Sequence, residues 1–375
     1  MSKPLDGIRV VELAGIGPGP YAGQLLADMG AEVILVNRPG PMGAIPNPAN
    51  RGKKAITLDL RKPEGATIVL DLIKTADVLI EGLRPGVTER LGVGPDVCHD
   101  LNPKLIYGRM TGWGQTGPWA KVAGHDINYI SITGALGAMG RKGVPPSPPL
   151  NLVGDYGGGS LFLVNGILAA LIRAGRTGKG DIVDAAIIDG TNSMMSILHM
   201  LSGLGQWSPE RGVNLLDGAR PYYRCYETKD EKFMAVGPLE PQFFKEMLRI
   251  LGVDKAEYGS QNDASKFPEQ HALLEGIFAS KTRDEWSEIF DGTESCVTPV
   301  LTYDEAPNHP QNSARGGLRK QGPFVHPRPA PVFSDSEHDP DFHVPSANEA
   351  ADAIFAELGY DAGKLSALKA AGVTP

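Results

Sequence analysis

The basic side chains Arg38, Arg51, Lys53, Lys54, Arg61, Arg84 and Arg90 all fall near the ends of segments that read as strands, or in the loops just after them. Ligands dock at such strand ends on open α/β sheets. A ligand with several phosphates would use this set, because guanidinium forks match phosphate oxygens in bidentate geometry. A solvated basic rim with no ligand is the competing account. The loop Gly15-Ile16-Gly17-Pro18-Gly19-Pro20 lies where a dinucleotide fingerprint belongs, but Pro20 holds the position of the third glycine, so the fingerprint fails and a bare tight turn remains open. The next strand ends in Asn37-Arg38 with no acidic residue for a ribose diol, which disfavours NAD, although Arg38 could meet a ribose phosphate.

Three further residues are of types that move protons. His125, in Gly124-His125-Asp126-Ile127-Asn128-Tyr129, follows a Gly/Pro-rich loop and precedes a short apolar run. That places it at a helix N-terminus, whose backbone amides could face a developing oxyanion. A lone histidine with a purely structural role is the alternative. Asp155, within Asn151-Leu152-Val153-Gly154-Asp155-Tyr156-Gly157-Gly158-Gly159-Ser160, precedes a mostly apolar helix. The plain account is a carboxylate beside a helix dipole. Glu240 opens Glu240-Pro241-Gln242-Phe243, where helix entry explains it equally well.

The elements that must position these residues alternate strand and helix. Ile8 to Leu13 is a β-branched run, Tyr21 to Met29 has helical spacing closed by Gly30, and Ala31 to Val36 reads as a second buried strand. Ala55–Leu60, Asp77–Glu81 and Leu105–Arg109 fit further strands, with a helix from Glu64 to Lys74 after Pro63. Such alternation predicts a parallel, helix-covered sheet. A long apolar helix from Gly157 to Arg173, a strand from Asp181 to Ile188 and a helix through Met200 follow. The character then changes to a hairpin over Tyr222–Thr228 and Lys232–Val236, with amphipathic helices at Gln242–Leu251, Glu269–Ser280 and Arg283–Phe290. Prolines 323, 327, 329, 331, 340 and 345 suit an extended connector, and a helical pattern resumes at 347–359. These signals divide the chain into a large α/β domain at 1–200, a linker at 201–222, a small α+β domain at 223–320, and a connector with C-terminal helices at 321–375.

Composition narrows the function classes. The 375 residues are 41% hydrophobic and 21% charged, which is ordinary globular composition, and the net charge of −8 without a Lys/Arg cluster disfavours nucleic acid. Cys98, Cys225 and Cys296 are spaced as neither a disulfide framework nor a zinc site, which predicts a reducing compartment. The start lacks a secretory pattern, the end lacks a peroxisomal address, and the apolar run 161–172 is shorter than the roughly 20 residues of a bilayer span. A cytoplasmic enzyme with no membrane contact is the expectation.

Five stretches, taken together, resemble the family III coenzyme A transferases over nearly the whole chain: Val10-Val11-Glu12-Leu13-Ala14-Gly15, Ala76-Asp77-Val78-Leu79-Ile80-Glu81-Gly82, Arg84-Pro85-Gly86-Val87-Thr88-Glu89-Arg90-Leu91-Gly92, Met110-Thr111-Gly112-Trp113-Gly114-Gln115-Thr116-Gly117-Pro118, and Gly124 to Tyr129. Transferases of the family share the aspartate that Asp155 resembles and generally lack the histidine, so His125 argues for a racemase branch. The resemblance implies a large domain with a Rossmann-like parallel sheet, a smaller α+β domain, and an interlocked homodimer with the active site between subunits. It implies that Arg38, Leu58-Asp59-Leu60-Arg61, Gly82-Leu83-Arg84 and Arg90 hold coenzyme A. Gly124, Asp126, Ile127, Asn128 and Tyr129 would contact the acyl thioester. Asn37 departs from the acidic residue that many relatives carry.

The implied reaction is inversion of the 2-methyl stereocentre of a 2-methylacyl-CoA. One group removes the α-proton and another, opposite, returns one. His125 would serve one face and Asp155 the other, with Glu240 orienting the imidazole. No metal or separate cofactor is expected, since coenzyme A belongs to the substrate. The nearest rival is a CoA transferase in which Asp155 attacks the thioester and carries the acyl group as a mixed anhydride, a step that requires a second acid. An NADP-linked oxidoreductase and a non-catalytic CoA-binding protein are the rivals from other classes.

Overall fold

The computed structural model describes residues 3–40, 46–335 and 341–375. The chain forms two compact units, one of Met1–Thr133, Pro149–Met195 and Leu318–Pro375, the other of Gly134–Pro148 and Ser196–Gly317. The division differs from a boundary at residue 200, because 134–148 and 196–200 pack with the second unit and Leu318 already belongs to the first.

In the first unit, strands β1 (Arg9–Leu13), β2 (Glu32–Asn37), β3 (Lys54–Thr57), β4 (Val78–Glu81), β5 (Ile106–Thr111) and β6 (Asp181–Ala186) form a sheet. Among the described residues its order is β3-β2-β1-β4-β5-β6, and every pairing is parallel. Val10 pairs with Val33 on one side and Val78 on the other, so the progression of strands reverses between β1 and β4. Successive side chains point to opposite faces. Val11, Ile34, Ile56 and Leu79 therefore meet helix α2 (Pro63–Ile73) and the C-terminal helices Ala351–Glu357 and Ala362–Ala370. Val10, Val33, Val78 and Ile106 meet α1 (Pro18–Asp28) and the later helix over Leu161–Thr177. Burial on both faces explains why these strands read as unbroken Val/Ile/Leu runs.

Three short helices, α3 (Val87–Arg90), α4 (Pro95–Leu101) and α5 (Asp126–Ile132), follow β4 and β5. The helix expected from Gly157 begins earlier, as a π-helix over Leu152–Ser160 that runs directly into α7 (Leu161–Thr177). By length and composition alone Leu152–Thr177 could cross a bilayer, yet Leu163, Val164, Ile167, Ala170 and Ala174 are buried in the first unit's core. The strand expected to reach Ile188 ends at Ala186, where α8 (Ile187–Met194) starts. The proline-rich connector is not wholly extended, since β10 (Leu318–Gln321) and β11 (Phe324–Pro327) pair as a hairpin; Pro340 lies outside the described residues.

The second unit contains α6 (Ala135–Ala138), α9 (Ser196–Gly203), and an antiparallel sheet of β7 (Arg224–Glu227), β8 (Phe233–Val236) and β9 (Val297–Val300). Helices α10 (Pro241–Leu251), α11 (Lys255–Tyr258), α12 (Phe267–Phe278) and α13 (Arg283–Phe290) cover it through Tyr226, Met234, Phe244, Leu274, Phe278 and Trp286. The hairpin and the amphipathic helices were expected; β9 was not. The segment read as a linker begins inside α9, and beyond it the Asp217 carboxylate collects the backbone N–H groups of Gly212, Val213 and Asn214.

Candidate active site

Where the strand order reverses, the loops after β1 and β4 part and leave a crevice at the carboxyl edge of the sheet. Together with the loop after β5, the start of α5 and Asp155, they wall a cleft of about 550 Å³ in the first unit. A recess of about 290 Å³ holding Asn37, Arg38, Asn47 and Asn50 lies between the loops after β1 and β2. Gly15 and Ile16 line both, so the two share a wall. The cleft gathers Gly82, Leu83, Arg84, Gly124, His125, Asn128, Tyr129 and Asp155 from the expected set.

The basic residues separate into two groups. Arg51, Lys53 and Lys54 do not join the cleft. Arg51 grips Asp28 through Nε at 3.0 Å and Nη2 at 2.6 Å, Lys53 Nζ lies buried 2.7 Å from Glu12 Oε2, and Lys54 pairs with Glu32. Arg84 lines the cleft and Arg38 the recess. A single buried guanidinium holds the Arg84 and Arg90 segments: Arg109 donates from Nε to Glu81 Oε1 and from Nη1 to Glu89 Oε1, each at 2.9 Å. Glu81 Oε2 in turn accepts the Leu83 N–H at 2.7 Å, and Glu89 precedes Arg90 on α3. Leu58 is wholly buried in the core, and Arg61 forks onto Asp59 at 2.8 and 2.9 Å. That contact holds the Asp59 carboxyl down to about 2. Asn37 is likewise committed, its amide donating to Ala347 O at 2.9 Å.

The proton-moving residues enter from two elements. His125 is the N-cap of α5, with extended backbone, and its N–H donates to Asn128 Oδ1 at 3.0 Å. This capping leaves the imidazole exposed. Tyr129 donates its hydroxyl to Gly124 O and sets its ring edge-on to Trp113, centroids 4.8 Å apart. The π-helix carries Asp155 into the cleft, half-buried, and π-helical turns recur at functional sites. Burial, then the Asp126 charge, pushes the Asp155 carboxyl up to about 6 against opposing contributions from an Asn151 hydrogen bond and from His125. Gly17, at φ 67°, passes over this carboxylate so closely that a Cβ there would lie 2.8 Å from Asp155 Oδ2. Glycine is required at that position by both the backbone and the contact.

Residues 5–349 match CoA-transferase family III. The chain belongs to that family. Alpha-methylacyl-CoA racemase of Mus musculus is 45% identical over 358 residues, covering 95% of this chain and 93% of that protein, and the Homo sapiens protein of the same name is 43% identical, covering 95% and 94%. The crystal structure of a CaiB/BaiF family protein from Brucella suis superposes with a TM-score of 0.83 at 30% identity, covering 96% of this chain and 100% of that one. The family III resemblance carried by the five sequence stretches is thereby established.

Arg38 lines the recess and Arg84 the cleft, and the π-helix brings the Asp155 carboxylate to the same cleft. Glu240, the exposed N-cap of α10, belongs to the second unit, where its charge and that of Glu294 add to burial in raising the Cys296 thiol. Sequence reasoning missed Asn151, the side-chain role of Asp126, and the Arg109 clamp. Asn151 stands four residues before Asp155, a helical spacing that was legible in principle. Arg109 sits inside an apparently apolar strand, and its carboxylate partners are remote in sequence.

Proposed function

We propose that this protein is an isomerase that inverts the 2-methyl stereocentre of 2-methylacyl-CoA thioesters by proton transfer through an enolate. The observation that carries the reading is His125 and Asp155 on the walls of one cleft, entering from different elements. Ionised Asp155 takes the α-proton from one face and becomes neutral, and the electron pair of the C–H bond moves into the enolate. Protonated His125 returns a proton to the opposite face. The enantiomer reacts through the reverse assignment, neutral His125 as base and protonated Asp155 as acid. Backbone amides at the start of α5, near Asp126, would donate hydrogen bonds to the enolate oxygen. A carboxyl near 6 helps both directions, because a group close to the working pH gives and takes protons with little energetic penalty.

Coenzyme A would lie along the carboxyl edge, its phosphates met by Arg38, Arg84 and Arg90 and its thioester delivered to the Gly124–Tyr129 segment. The working form proposed is an interlocked homodimer in which Glu240 of one subunit orients His125 of the other. In support, the single chain exposes large apolar side chains on α7 and α9, including Leu161, Ile172, Ile197 and Met200. The names of the mouse and human relatives agree with the reaction.

The test is proton NMR of one enantiomer of a 2-methylacyl-CoA in deuterated water, with the enzyme and no free carboxylic acid. Loss of the α-proton signal together with loss of optical rotation is the expected result. An unchanged signal that responds only when a second acid is added would overturn it in favour of acyl transfer through Asp155.

A further inference from the structure

The Asp126 carboxylate is spent on protein groups, not on substrate. Its Oδ2 accepts the Asp155 N–H at 2.6 Å, and the Gly154 N–H also favours the carboxylate. Its Oδ1 is buried with no hydrogen-bond partner among the described residues, and the residue as a whole is only 8% exposed. At the first position of α5 a carboxylate needs no burial to favour the helix dipole. This one instead turns inward, against Gly154, where a Cβ would stand 2.3 Å from Oδ2. An aspartate in that orientation costs stability, because a buried charge is left partly unsolvated. Such a cost is retained where function uses it.

We propose that Asp126 is a positioning residue: its carboxylate ties the Asp155 backbone to the helix that carries His125 and places a fixed negative charge beside the Asp155 side chain. The inference rests on the reading of His125 and Asp155 as the proton-transfer pair. The covalent neighbour of one base thus holds the main chain of the other. The groups facing Asp155 are few. From α5 come His125, Asp126 and Tyr129, and Asn151 and Tyr156 come from its own stretch, with Tyr21 of α1 packed on Tyr156. The loop before α1 contributes uncharged Gly17, α8 meets the π-helix through Ile187 and Thr191, and Met110 comes from β5. Arg84 lines the same cleft. Asp126 is therefore the one carboxylate among the groups named here. Burial raises the Asp126 carboxyl above its ordinary value against two backbone N–H groups that favour its ionised form, and where Asp126 is ionised its charge adds to burial in making Asp155 keep its proton to higher pH.

The experiment is the pH dependence of α-proton exchange in Asp126→Asn, which keeps an acceptor oxygen and removes the charge. The acid limb of the rate profile, set by Asp155 near pH 6 in the unaltered protein, is expected to move down by on the order of one pH unit. A rate lowered equally at every pH, with the limb unmoved, would mean that Asp126 is structural only. If the variant fails to fold, carbon-13 NMR of the aspartate carboxyls in the unaltered full chain decides. The Asp126 resonance should respond as Asp155 titrates, and that step should vanish in Asp155→Asn. An Asp126 resonance indifferent to Asp155 overturns the proposal. Absence of α-proton exchange in the unaltered protein would defeat the racemase reading alone, because the NMR titration tests the Asp126–Asp155 coupling without reference to activity.

Discussion

Replacing the half-buried Asp155 by Asn should abolish inversion and at the same time stabilise the first unit. The sign follows from linkage. An unfolded aspartate has a pKa of about 3.9, whereas burial and Asp126 push the folded carboxyl up to about 6. Below the unfolded value both states are neutral and the group contributes nothing. Above about pH 6 the folded state holds a charge it disfavours, and the destabilisation is complete. The difference of roughly 2 pH units corresponds to on the order of 3 kcal/mol. Because the carboxylate is only partly buried, solvent screening reduces this to roughly 1–2 kcal/mol. Asn carries no charge and accepts the Asn151 hydrogen bond equally well, so it recovers that amount at pH 8 and almost none at pH 4. Hydrogen exchange of the β1 and β4 amides reads the opening free energy of this unit separately from the second. Protection that is greater in Asp155→Asn at pH 8, with a gap that closes on acidification, is the expected result. Equal protection at pH 8, or a gap that persists at pH 4, would refute the electrostatic account of this residue.

Three other outcomes are expected. His125→Ala should lower turnover by roughly 10² to 10⁴-fold, the usual worth of a positioned acid–base group, with a much smaller change in acyl-CoA affinity; steady-state kinetics with unchanged racemisation would remove His125 from the mechanism. Arg84→Ala should raise KM more than it lowers kcat for the CoA thioester, and leave the N-acetylcysteamine thioester, which has no phosphates, unaffected. Added salt should weaken binding by the unaltered protein more than by the variant. Co-expressed His125→Ala and Glu240→Ala subunits should regain about a quarter of full activity, because random pairing makes about half the dimers mixed and each mixed dimer has one intact site of two; verified mixed dimers with no recovery would show that Glu240 serves its own subunit or none.

The parallel sheet was legible because burial on both faces leaves unbroken runs such as Val10-Val11 and Val33-Ile34-Leu35-Val36, whereas the strand order and its switch point came only from the structure. His125 was legible as a helix N-cap from the loop before it and the apolar run after it. The basic residues were only partly legible. Arg51, Lys53 and Arg84 look alike in sequence, and what separates them is whether a remote carboxylate such as Asp28 or Glu12 has folded against them. The π-helix at 152–160 was not legible at all. Its glycines suggest a flexible entry, whereas the fold uses them for close approach to Asp126, Ile187 and Thr191. The β10–β11 hairpin was hidden for a related reason: proline counts signal an extended chain without saying whether another strand lies beside it.

Under the proposed function binding and chemistry would fall on different elements. The loops after β1, β2 and β4 would meet the phosphates of coenzyme A. The α-carbon would be handled by the start of α5 and the π-helix, which the Asp126 carboxylate holds together. In such an arrangement the reaction type turns on one N-cap residue. An aspartate alone in the cleft can act as a nucleophile and transfer the acyl group. Under the proposed function an imidazole at position 125 supplies the second proton-transfer partner that inversion requires, from a different element than Arg38 and Arg84. A family that contains transferases can therefore yield an isomerase without rebuilding its coenzyme A site, and His125→Ala should leave affinity for coenzyme A itself close to that of the unaltered protein while inversion is lost. Equilibrium binding of free coenzyme A measures this directly, and a large loss of affinity in the variant would show that binding and chemistry are not separable in this chain.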